Sequence, residues 1–186
     1  MDPGIYDGIP NEVYQSSDGI STSFLKTFAN SPKKARYGEH VTTPALEAGT
    51  LIHAAIIEPK LLDTRYIPTD VQRTNSAQWV LEESLSMGRT LVKRAEYDRA
   101  LHMRDAVYAD PEARDLLGNI KVERAFWFAD PTTGLLRRGK ADAVNDDFHC
   151  HLDVKTCEDS SRHAFRNSVG TYKYHWQQAT YTDGWG

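Results

Sequence analysis

The sequence predicts an α/β domain with a small mixed or antiparallel central sheet flanked by helices. Three observations carry that prediction. Much of the first 120 residues holds apolar positions at helical spacing, punctuated by Pro and Gly. Residues 122–155 then read as three strand-like runs separated by turns. Residues 174–183 return to a helical pattern. The order is helices, three strands, helix, which layers helices against one sheet and leaves a site at a sheet edge.

Residues 1–20 read as an extended, turn-rich lead-in. Ser21 or Ser23 can cap a helix over Phe24, Leu25 and Phe28, ended by Ser31-Pro32. Residues 49–58, ahead of Pro59, form a short apolar helix with His53 in its middle. Residues 60–75 look irregular. Asn75 or Ser76 caps a helix to about Met87, Gly88 breaks it, and Thr90 to Tyr108 carries a helical pattern through Leu91, Ala95, Leu101 and Val107. Asp110-Pro111 opens another short helix. Residues 122–128, 135–144 and 148–155 are predicted as an antiparallel meander, with Asp130-Pro-Thr-Thr-Gly134 as its first turn.

The chemistry collects on the last strands. Asp153 and Lys155 are two residues apart, so a strand through them puts both on one face. Asp142 comes from the preceding strand and can meet Asp153 across the pair. Two acids sharing a divalent cation, beside a lysine, make a place to cut a phosphodiester bond: the cation lowers the pKa of water and neutralises the leaving oxygen. Mg²⁺ needs only one or two protein carboxylates, here Asp142 and Asp153, and Mn²⁺ substitutes for it. The carbonyl of Val154 is a further oxygen donor. Lys155 orients the water or holds the scissile phosphate. Asp-x-Lys alone also fits the exposed face of an edge strand.

Other residues extend the pattern. His53 is either a satisfied core histidine or a metal ligand. Gln177 and Tyr181 are four apart and share a helical face; they are either phosphate or sugar donors or an ordinary amphipathic pair. Arg137, Arg138 and Lys140 run into the acid-bearing strand and are the basic run best placed for DNA phosphate.

Taken in order, His53 within Gly-Thr-x-x-His, Asp142, Asp153-Val-Lys155 and Gln177-x-x-x-Tyr181 resemble the PD-(D/E)xK nuclease superfamily, in its RecB/RecE-type branch. The stretches Pro3-Gly-Ile-Tyr6, Ile9-Pro-Asn-Glu-Val-Tyr14, Gly19-Ile-Ser-Thr-Ser-Phe-Leu25, Arg73-Thr-Asn75 and Tyr172-Lys-Tyr-His175 look like exonuclease VIII (RecE) nuclease domains of phages and prophages. The resemblance runs nearly end to end. It implies a restriction-endonuclease-like core and catalytic roles for Asp142, Asp153, Lys155, Gln177 and Tyr181. It also implies a Mg²⁺-dependent, processive 5′-to-3′ exonuclease acting on double-stranded DNA ends. Such enzymes work with a single-strand annealing protein in recombination and form ring-shaped homo-oligomers. Ala141 stands where the pattern has proline, and relatives continue past the Gln-x-x-x-Tyr helix, so a shortened C-terminus is expected. A single-strand-specific nuclease of the superfamily and a non-catalytic DNA-binding or scaffold module are the other readings.

At 186 residues the chain is expected to be one domain with a proper core. No run of about 18 apolar residues occurs, so no membrane partner is expected, and the first residues lack a secretory pattern. Cys150 and Cys157 are the only cysteines, too few for a disulfide framework, and free thiols suit a cytoplasm, which the resemblance implies is that of a bacterial or phage-infected cell. Strand alternation would set Cys150 on the face opposite His149 and His151, against a zinc site. The net charge of −4 argues against broad wrapping by nucleic acid, so any DNA contact must be local.

Overall fold

The computed structural model describes residues 1–39, 42–70 and 86–185. They form two compact units: Met1–Val41 with Asn119–Gly186, and Thr42–Gly118. In chain order the elements are β1 (Gly4–Tyr6), α1 (Asn11–Ser16), β2 (Ile20–Ser21), α2 (Thr22–Asn30), α3 (Pro32–Tyr37), α4 (Pro44–Ile57), a 3₁₀ turn (Pro59–Leu61), α5 (Leu62–Arg65), β3 (Tyr66–Thr69), β4 (Thr90–Lys93), α6 (Arg94–Ala109), α7 (Pro111–Leu116), β5 (Ile120–Ala129), β6 (Leu136–Asn145), β7 (Cys150–Leu152), α8 (Arg162–Thr171) and α9 (Tyr174–Trp185).

The first unit is a mixed sheet flanked by helices. Its strand order is β1-β5-β6-β2, with β7 also on β6. The long β5–β6 hairpin is antiparallel, closed by the Asp130–Gly134 turn, where Asp130 Oδ1 accepts from the N–H groups of Thr132 and Thr133. β2 joins β6 in parallel at Arg137 and Arg138; β7 joins it antiparallel at residues 143–145. Residues 139–142 of β6 therefore lie between its β2 and β7 partners.

Consecutive strand residues point to opposite faces, and β5 buries both. Trp127 packs with Tyr14 and Ala125 on one face and donates from Nε1 to the carbonyl of Asp18 at 3.0 Å. Phe126 packs with Ala141, Val144 and Tyr181 on the other. α9 covers that second face because two glycines make room for the Phe126 ring. Gly139 is the cross-strand partner of Phe126, and a Cβ there would stand 2.2 Å from the ring. Gly184 of α9 presses from the helix side, where a Cβ would stand 2.1 Å away. This seat fixes the position of Gln177 and Tyr181.

In the lead-in, residues 11–16 form a helix after Pro10 that burial of Tyr14 supports, and residues 4–6 pair with β5. Ser21 caps α2 by accepting from Phe24 N–H, and Ser31 ends that helix and caps α3. β7 stops at Leu152, short of the expected 155, so Asp153 and Lys155 follow it in irregular chain. α8, capped by Ser161, was not among the expected elements; its sequence is polar and buries no residue fully.

In the second unit α4 starts at Pro44, capped by Thr43, five residues before the expected Gly49, and buries Leu51, Ile52, Ala54, Ala55, Ile56 and Ile57. Tyr108 of α6 donates to the carbonyl of Ile56 at 2.9 Å. Residues 90–93, expected as the start of a helix, are a strand instead. β-Branched Thr90 and Val92 pair in parallel with β3, which also gives structure to residues 66–69 of the expected irregular segment. Asp110 caps α7 by accepting from Ala113 N–H at 2.9 Å. The expected helix from Asn75 or Ser76 falls, up to residue 85, outside the described residues.

Candidate functional site

Asp142 sits on β6 and Asp153 just past the end of β7. The last paired residues are Ala143 and Leu152, so the two acids are the next pair along the ladder. The strands part there: the N–H of Val154 turns in and donates to Asp142 Oδ2 at 2.7 Å. Gln177 Nε2 donates to Asp153 Oδ1 at 2.7 Å. The Lys155 ammonium pairs with Asp153 Oδ2, both side chains being largely buried. The pleat does not bring Lys155 to Asp153, as the expected strand would have; the ion pair does, in irregular chain. Burial, and next the charge of Asp142, push the Asp153 carboxyl above its usual range, against the pull of Lys155 and Gln177.

Tyr181 reaches the acid through Gln177. Its hydroxyl donates to the carbonyl of Lys140 at 2.8 Å and accepts from Gln177 Nε2 at 2.7 Å. The ring is buried edge-on against Phe126, and burial pushes the phenol far up, so it stays protonated. The i, i+4 spacing works as the sequence predicts; the second residue faces the core rather than solvent.

His53 lies half-buried on α4 of the second unit. Glu58, at the end of that helix, pairs with Arg65. Among the described residues no three His, Cys, Asp or Glu side chains gather as a metal-holding group. The donors that do converge are two carboxylates, one raised by burial and by the other's charge. Hard oxygen donors of this kind fit Mg²⁺ or Mn²⁺, which bind through one or two carboxylates and keep water in the remaining positions.

The residues expected to contact phosphate are engaged by the protein itself. Arg138 is buried; its guanidinium donates to the carbonyls of Tyr14, Gln15 and Ser17 and to Ser17 Oγ, closing the end of α1, and lies 4.9 Å from the Tyr14 ring centroid. Arg137 donates to Thr180 Oγ1 at 2.7 Å and pairs with Asp130. Lys140 pairs with Glu123 and donates to Asn11 Oδ1 at 3.2 Å. β6 is covered on both faces, so its long cations turn to internal acceptors.

Another cluster of cations borders the acids. Lys26 Nζ lies 5.7 Å and Lys155 Nζ 5.5 Å from the centroid of the Tyr174 ring. Lys173 Nζ lies 4.3 Å from the Trp176 ring. Burial, then Lys155, lower the Lys26 pKa. A cavity of about 320 Å³ is lined here by Asp153, Lys155, Gln177, Phe165 and Tyr174, among others. The sequence signal for this cluster was Tyr172-Lys-Tyr174, a cation between two aromatics.

The sequence matches, over residues 21–185, the family described as a PDDEXK-like domain of unknown function (DUF3799). No curated protein matches it. Among the described residues no helix is long and apolar enough to cross a membrane.

Proposed function

The chain belongs to this PDDEXK-like family, and from that premise we propose that it is a metal-dependent exonuclease that hydrolyses phosphodiester bonds from the ends of linear double-stranded DNA, 5′ to 3′. The observation that carries the reading is the convergence of Asp142, Asp153, Lys155 and Gln177 at the parting of β6 and β7. A divalent cation on the two carboxylates, Mg²⁺ or Mn²⁺, would activate water and offset phosphate charge. The Val154 carbonyl is the further ligand proposed for it. Gln177 fixes Asp153 in one orientation. The Lys155 ammonium, now on Asp153, is a mobile point charge that can pass to the scissile phosphate or align the attacking water. Tyr181 holds Gln177 in place.

The proposed product is a single-stranded tail, the substrate of an annealing protein in phage-type recombination, and the proposed assembly is a ring of identical chains. Both rest on the RecE-type resemblance. The test is digestion of linear duplex carrying 5′ and 3′ labels in parallel, with Mg²⁺, with Mn²⁺, and with chelator. Release of the 5′ label first, abolished by chelator, supports the reading. Cation binding without any cleavage leaves a non-catalytic DNA-binding module.

A further inference from the structure

We propose that Phe165, Tyr172 and Tyr174 form a stacking platform for unpaired bases, so that the acid pair receives its DNA as a single strand. This deepens the nuclease reading and rests on it for what happens beyond the platform.

The Tyr172 and Tyr174 rings stack with centroids 5.8 Å apart and planes 21° from parallel, and Phe165 lies 6.4 Å from Tyr174. Residues two apart on a continuous helix project to nearly opposite sides. Lys173 breaks the helix instead: it adopts φ 53°, in the left-handed region that non-glycine residues rarely enter. That break between α8 and α9 brings the two rings together. Tyr172 is 59% and Phe165 46% exposed, so the apolar surface faces solvent.

Charge complementarity selects the occupant. Lys26 and Lys155 both lie over Tyr174, and Lys173 lies over Trp176, so ammonium groups border the rings. Aromatic faces interleaved with cations are the pattern that binds single-stranded nucleic acid, bases on rings and phosphates on lysines. The cavity leading from Tyr174 and Phe165 to Asp153 and Lys155 holds about 320 Å³, at the small end of ligand sites (~300–1,000 Å³). That space suits a nucleotide.

Fluorescence anisotropy with labelled (dT)10 and with a blunt hairpin duplex, both in chelator so that nothing is cut, tests the platform. Tyr172→Ala is expected to raise the Kd for (dT)10 about tenfold, within the range for loss of one base–aromatic stack, and to change duplex binding less than twofold. Tyr172→Phe is expected to bind as the parent does. Failure of the parent to bind (dT)10, equal loss on both probes, or a Phe variant as weak as the Ala variant overturns the proposal. A parent that binds (dT)10 through Tyr172 but cuts no DNA keeps the platform and removes the nuclease reading. A parent that cuts duplex ends while Tyr172→Ala binds (dT)10 normally does the reverse.

Discussion

Gln177 Nε2 donates to Asp153 Oδ1 at 2.7 Å, joining α9 to the loop after β7 across 24 residues of chain. The bond is one link of a continuous series. Gln177 also meets the Tyr181 hydroxyl, which donates to the Lys140 carbonyl on β6, two residues from Asp142. Lys155 takes the other oxygen of Asp153. A carboxylate engaged at both oxygens keeps one orientation, and such a network rigidifies an acid that is otherwise costly to bury. Cation sites need that preorganisation.

Gln177→Ala and Tyr181→Phe should therefore differ. Gln177 holds a charged acceptor, a contact worth ~1.5–3 kcal/mol, so its loss should slow cleavage roughly ten- to a hundredfold. Tyr181→Phe removes the hydrogen bond to the Lys140 carbonyl, worth about 0.5–1.5 kcal/mol, and should lower Tm by roughly 2–4 °C per kcal/mol while slowing cleavage less. Single-turnover cleavage and calorimetry on both variants check this. A Tyr181→Phe variant with unchanged Tm and the slower cleavage would place its hydroxyl on the substrate.

Lys155→Ala should abolish most cleavage and leave cation binding intact. A protonated lysine has no lone pair for a metal, so its work is on phosphate or water. Removing it also removes a charge that pulls the Asp153 pKa down. Isothermal titration with Mn²⁺ should give a Kd within a few-fold of the parent, while end-labelled duplex stays intact. Cleavage at the parent rate would exclude Lys155 from the reaction.

Local chemistry was legible in the sequence and long-range pairing was not. Ser21 and Asp110 cap helices as their positions predict, the β5–β6 hairpin forms around its turn, and Asp142 meets Asp153 at the end of the β6–β7 ladder. Residues 90–93 misled because Leu91 and Ala95 continue a helical period; only pairing with β3, over 20 residues earlier, makes them a strand. Arg137, Arg138 and Lys140 read as the basic run best placed for phosphate because their acceptors come mostly from elements elsewhere in the chain: backbone carbonyls at the end of α1 for Arg138, the side chains of Thr180 and Asp130 for Arg137, and those of Glu123 and Asn11 for Lys140. The Lys26 contribution to the site stayed hidden because it comes from α2, far along the chain from Tyr174.

Asp153→Asn should stabilise the protein at neutral pH. The folded-state pKa of Asp153 lies above the usual carboxylate value of ~3.9, so the folded chain holds the proton more tightly than the unfolded one. Its effect on stability is favourable below that value and is lost as pH rises through the raised one. Asparagine removes the ionisation, so the variant's Tm advantage should be present at pH 7 and shrink toward pH 4. Mg²⁺ at 100 times its Kd should raise the parent's Tm by roughly 5–10 °C, from ~2.7 kcal/mol of linkage, and the variant's far less. Melting curves at several pH values, with and without Mg²⁺, check both; a variant less stable than the parent at pH 7 would mean that the ion pair with Lys155 outweighs burial.

Gly184→Ala should disable the site from a distance. A Cβ at Gly184 would stand 2.1 Å from Phe126, whose ring is fully buried and pressed from the strand side by the Gly139 backbone. The ring cannot retreat toward Gly139, so α9 must lift. Overpacking of this kind costs about 1–3 kcal/mol, or roughly 2–4 °C of Tm per kcal/mol. Lifting α9 also withdraws Gln177 from Asp153, so cleavage should fall at temperatures where the variant is still folded. A smaller ring-site residue makes room: Phe126→Leu together with Gly184→Ala should recover part of the cleavage lost in the single variant. Cleavage of Gly184→Ala at the parent rate, with an unchanged melting curve, would show that α9 is not seated by this contact.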